Sequence, residues 1–83
     1  MAERSKGNFT IAVGLAIKRL RTEAAMSQES LALEAGIDRS FVSEVERGLK
    51  SPTVETIQTI ATALNGKPSD ILRIAEETPR LKL

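Results

Sequence analysis

Cysteine and histidine are both missing from this 83-residue chain, and tryptophan and tyrosine with them. Without cysteine there is no disulfide framework and no thiolate metal site. Without histidine the commonest metal ligand and the commonest general acid/base are gone as well. Phe9 and Phe41 are the only aromatic residues, too few for the stacking platforms that hold single-stranded nucleic acid. No apolar run approaches the length of a membrane span, and the N-terminus lacks the apolar core of a signal peptide. Neither a phosphate-binding glycine loop nor a spaced carboxylate pair is present. These absences argue against an enzyme, a metal, a cofactor and a membrane partner, and they lead us to expect a soluble, cytoplasmic protein.

A chain of 83 residues makes one domain with a small core. The net charge of +1 is uninformative, but its distribution is uneven. Residues 4–22 contain Arg4, Lys6, Lys18, Arg19 and Arg21 and no acid, whereas residues 23–46 are mostly acidic with Arg39 as the lone base. Arg47 and Lys50 follow. Such unevenness is common on ordinary surfaces.

Helical spacing and clear punctuation divide the chain. Residues 1–9 are polar and expected to be flexible, a domain is expected over 10–77, and 78–83 form a tail. From Thr10, the apolar residues Val13, Ile17, Leu20 and Ala24 recur every three or four positions and mark a first helix to about Glu23. Ser27 is the N-cap of a second, which carries Leu31, Ala32 and Ala35 inward and ends at Gly36. Asp38 caps a third helix over residues 39–47, and Gly48 stops it. Thr53 caps a fourth with a buried stripe of Val54, Ile57, Ile60, Ala61 and Leu64. Pro68 opens a fifth, with Ile71, Leu72 and Ala75 inward. The fold class is therefore all-α, with five helices. Ile74, Leu81 and Leu83 have no evident core role and are assigned, with the fifth helix, to a dimer surface.

The second and third helices are separated by about three residues with a glycine at the corner, the signature of a helix-turn-helix. Ala32 is small enough for close helix crossing, and Val42 and Val45 face back into the core. A plain helical hairpin in a small bundle, with its outer face merely solvated, shares this outline. The outer face of the third helix carries Arg39, Ser40, Ser43, Glu44 and Arg47, all hydrogen-bonding side chains. Arg39 can fork onto guanine, and the short serines allow close approach. Glu44 would be repelled by phosphates, so it needs either a base donor such as cytosine N4 or a neighbouring arginine. Ser27 and Gln28 stand where free backbone N–H groups favour a phosphate, and Gln28 can also brace the third helix. Lys50, Ser51 and Thr53 lie in the loop beyond, placed to hold the DNA backbone.

Two charges stand beside apolar stripes. Glu46 borders the stripe 42, 45, 49, and Arg21 borders that of the first helix. A lone buried carboxylate is too costly to stay ionised, so the two are expected to pair and tie the first helix to the third.

The segments "LR" at 20–21, "SQESLA" at 27–32, "AGI" at 35–37, "ERG" at 46–48, "SPTVETI" at 51–57 and "IATAL" at 60–64 together resemble the helix-turn-helix of the phage Cro/CI-type repressors, the XRE family. The resemblance covers residues 11–75, and "DRSFVSEVERG" also resembles controller proteins of restriction–modification systems. It implies a compact lambda-repressor-like domain that regulates transcription as a homodimer on a palindromic double-stranded DNA operator. It places DNA contacts at Ser27, Gln28, Arg39, Ser40, Ser43, Glu44, Arg47, Lys50 and Thr53, and the family's buried ion pair at Arg21 and Glu46. Ala25 departs from the pattern, standing where a glycine commonly ends the first helix, which implies a different turn there. No small-molecule effector is expected, since neither an effector pocket nor a sensor domain fits in this length. The competing function class is a protein-interaction module of the same fold, of antitoxin or coactivator type.

Overall fold

A computed structural model describes residues 7–78, and these form five helices in chain order. They are α1 (Asn8–Glu23), α2 (Gln28–Ala35), α3 (Arg39–Glu46), α4 (Val54–Ala63) and α5 (Pro68–Glu77). Helix α1 starts two residues before the expected Thr10, because Gly7 is extended and its carbonyl accepts from Ile11 N at 3.2 Å. Leu81 and Leu83 lie outside the described residues.

Local chemistry sets the helix boundaries. Ser27 Oγ accepts from Ser30 N at 2.9 Å, and Thr53 Oγ1 accepts from Thr56 N at 3.1 Å, each satisfying a donor that the first helical turn leaves open. Asp38 occupies the N-cap of α3 with extended backbone but makes no side-chain cap bond. At α5, Lys67 N donates to Asp70 Oδ2 at 2.9 Å, and this bond is the main cause holding the Asp70 carboxyl below its ordinary pKa. Gly36 adopts φ +71°, and Ile37 N then reaches back to the Ala32 carbonyl at 3.0 Å. The turn after α1 keeps a left-handed residue even without glycine: Ala25 has φ +59°. The left-handed position that a glycine would favour is thus carried here by alanine.

The helices close on one core that includes Ile17, Leu31, Val42, Val45, Ile60 and Ile71. Helix α1 packs on α3 and α5, α2 packs on α3 and α4, and α4 packs on α5. Four expected placements are corrected. Val54 is 79% exposed, because burial on α4 begins at its second turn, with Ile57 half-buried and Ile60 and Ala61 enclosed. Ala24, the C-cap of α1, is exposed where that helix runs past its neighbours. Leu49 leaves the α3 stripe and is 54% exposed, since the left-handed Gly48 (φ +77°) turns the chain before the period can continue. Ile74 is a core residue, buried with Ile71 and Ala75 against α1 and α4. Among the described residues no helix is long and apolar enough to cross a membrane.

Candidate nucleic-acid interface

Helix α3 has two unlike faces. Val42, Val45 and Glu46 are buried against the rest of the domain. On the other side Arg39, Ser40 and Arg47 are exposed, and Ser43 and Glu44 are partly so. The helix is held where it is by close contact as well as by apolar packing. Gly14, buried in α1, faces the α3 backbone so closely that a β-carbon there would collide with the Val45 carbonyl oxygen. Only a residue without a side chain lets α1 approach α3 in this way. Sequence reasoning missed Gly14; its signal was a glycine inside the otherwise regular helical run "IAVGLAIKRL".

Arg21 and Glu46 meet. Arg21 Nε donates to Glu46 Oε2 at 2.6 Å and Nη2 donates to Oε1 at 3.0 Å, a two-pronged pair between α1 and the last turn of α3. The side chains are 12% and 2% exposed, so the pair is largely out of water. Arg21 Nη1 also donates to the Met26 carbonyl at 2.8 Å, which fastens the α1–α2 turn to the same point. The hydrogen bond to Glu46, opposed by desolvation and aided by the charge of the carboxylate, raises the Arg21 pKa above its ordinary value. Among the described residues no buried side-chain polar atom lacks a partner, so hydrogen bonds offset part of the desolvation cost of this pair.

Gln28 extends this network outward. Its Nε2 donates to Glu46 Oε1 at 3.0 Å, and its Oε1 accepts from Arg39 Nη1 at 3.4 Å. The Arg21–Glu46 pair therefore fixes which way the Gln28 amide faces, and the amide presents an acceptor to Arg39. Arg39, though exposed, thus has one neutral side-chain partner at the start of α3.

The remaining candidates divide. Ser27 and Thr53 are engaged as N-caps, and their hydroxyls also meet Ser30 and Thr56 respectively. Ser40, Ser43 and Arg47 line the open face of α3. Glu44 has a basic neighbour, but it is Lys50 rather than an arginine, with Lys50 Nζ 3.7 Å from Glu44 Oε1. Sequence alone did not show this pairing, because it depends on the reversal at Gly48. Among the described residues no cluster of acidic side chains could hold a metal ion.

A short two-helix unit with a tight glycine corner, whose second helix is anchored on one face and offers hydrogen-bonding side chains on the other, defines a helix-turn-helix DNA-binding protein of the transcriptional-regulator class. Comparison with known proteins agrees. The helix-turn-helix family profile HTH_3 matches residues 17–72, and the chain belongs to this family. It is 33% identical over 66 residues to the control protein C.BamHI of Bacillus amyloliquefaciens, covering 78% of this chain and 82% of that protein. Its fold matches the restriction–modification controller C.AhdI of Aeromonas hydrophila with a TM-score of 0.73 and 39% identity, over 75% of this chain and 94% of the other. It also matches the controller C.Esp1396I, solved as a tetramer on its natural 35 base-pair operator, with a TM-score of 0.79 and 25% identity, over 86% and 93% of the two chains.

Proposed function

We propose that this protein regulates transcription by binding a palindromic operator as a homodimer, with residues 39–47 of each copy in a major groove. The observation that carries the proposal is the outer face of α3. Arg39, Ser40, Ser43, Glu44 and Arg47 are available on one side while the Arg21–Glu46 pair fastens the other. Arg39 is the principal base reader, suited to the O6 and N7 of guanine. Ser40 and Ser43 permit close approach of the helix to the groove floor. Arg47, Lys50 and the start of α2 at Ser27 and Gln28 face the phosphates, and Thr53 fixes the loop that carries Lys50. The Gln28 amide acts chiefly through Arg39, since its oxygen and one of its N–H groups are already engaged.

The role is binding rather than catalysis, and it is exercised in the cytoplasm. Support for a homodimer comes from size. Helix α3 has 8 residues, a length of about 12 Å, which spans only three or four base pairs at ~3.4 Å each. Useful specificity then requires a second copy. Support for DNA as the partner comes also from the operator-bound controller with the same fold.

The test is duplex binding over a salt series. Wild type should bind a selected duplex far more tightly than random duplex, with affinity falling as salt rises. Arg39→Ala should cost about 1–3 kcal/mol on the selected duplex and much less on random duplex. Equally weak binding to all sequences, unaltered by Arg39→Ala, would favour a protein-interaction module instead.

A further inference from the structure

Glu44 is the only carboxylate of α3 that reaches solvent, and it stands among the cations that face DNA in the reading above, on which this inference rests. A carboxylate there should weaken binding by repelling phosphate. The geometry gives it a partner. Gly48 turns the chain back at φ +77°, and Leu49 N donates to the Glu44 carbonyl at 2.9 Å. The reversal returns Lys50 over the last turn of α3, with its Nζ 3.7 Å from Glu44 Oε1. Both side chains remain accessible, at 56% and 36%, so the pair can open.

The two members have different alternatives on DNA. An ionised carboxylate only accepts hydrogen bonds. In the major groove it is satisfied by the amino group of cytosine N4, or of adenine N6, and repelled by the guanine and thymine oxygens. Lys50 has one general alternative, any phosphate. We propose that Glu44 and Lys50 form an exchange latch that makes phosphate clamping by Lys50 conditional on the base that Glu44 meets. Opposite an amino-bearing base edge the carboxylate transfers to the base and Lys50 is released to the backbone. Opposite other bases the pair stays closed and the phosphate contact is lost. Glu44 is thus a specificity-determining residue that acts largely by suppressing binding to wrong sequences.

The effect is modest, because exposed ion pairs are weak: opening the pair should cost binding no more than about fivefold. The test is a double-mutant cycle with wild type, Glu44→Gln, Lys50→Gln and the double variant on a duplex that places guanine or thymine opposite Glu44. Glu44→Gln should tighten binding by about fivefold and steepen the salt slope by about one counterion. In the Lys50→Gln background the same change should give about twofold or less. Equal gains in both backgrounds would mean that Glu44 merely repels phosphate, and would overturn the latch. So would the absence of any gain in the wild-type background. Failure of wild type to bind any duplex in a salt-dependent way would instead remove the DNA-binding reading, and the latch with it.

Discussion

Two small residues in and just after α1 hold opposite balances of strain. Ala25 sits at φ +59° with its N–H bonded to the Thr22 carbonyl at 2.9 Å, and the following Met26 N–H returns to the Arg21 carbonyl at 3.1 Å. A methyl group in the left-handed region costs about 1–2 kcal/mol. Ala25→Gly should therefore raise the unfolding free energy by about 1 kcal/mol after the added chain entropy of glycine is counted. Gly14 is the reverse case, because the obstacle is the backbone oxygen of Val45, which cannot rotate away. Gly14→Ala gains helix propensity of about 1 kcal/mol but suffers overpacking of up to about 3 kcal/mol. It should destabilise by about 2 kcal/mol. Urea unfolding of the two variants should give changes of opposite sign. A destabilised Ala25→Gly would mean that the α1–α2 turn is not left-handed in solution.

At the scale of elements, the question is what keeps α3 at a fixed angle. The Arg21–Glu46 pair joins α3 to α1, while Gln28 joins the same carboxylate to α2 and Met26 joins the same guanidinium to the turn between them. The two ends of the pair are not equivalent. Arg21→Met leaves Glu46 buried with Gln28 as its remaining side-chain donor, and should cost about 3–5 kcal/mol. Glu46→Leu leaves Arg21 nearer the surface and should cost less. The double variant should recover much of the loss, and additive costs in urea unfolding would contradict a direct pair. Because the Arg21 pKa is raised, its contribution is fully present below the ordinary guanidinium value and is lost only on its alkaline side. The tie accordingly holds across the neutral range.

This tie was legible in the sequence because each charge stands next to an apolar stripe, and two such misfits on different helices suggest one another. The five helices were legible for a related reason, since apolar residues three and four apart are bracketed by Ser27, Gly36, Gly48, Thr53 and Pro68. Periodicity gives the direction of a face but not how far the neighbouring helices extend along it. Hence the pattern points Val54 and Ala24 inward although the packing stops short of them, and it continues to Leu49 although the chain turns first. The core role of Ile74 is hidden from the linear pattern because the contact that buries it against α1 and α4 is distant in sequence. The Gly14 crossing and the Glu44–Lys50 pair depend on helix approach and on chain reversal, neither of which a linear pattern records.

The described residues measure 36 × 23 × 20 Å and carry one helix of the recognition type. Adjacent major-groove faces on one side of a duplex lie about 34–36 Å apart, and the described residues offer no second helix of this type to reach the next groove. Two copies related by a two-fold axis do, and they would impose their symmetry on the site. Selection of bound duplexes from a random pool by the full chain tests this most directly. The account predicts an inverted repeat with half-site centres about 10 base pairs apart, with a guanine in each half-site whose preference weakens in Arg39→Ala. A pool that stays random after repeated rounds, or an enriched motif indifferent to Arg39→Ala, would contradict it.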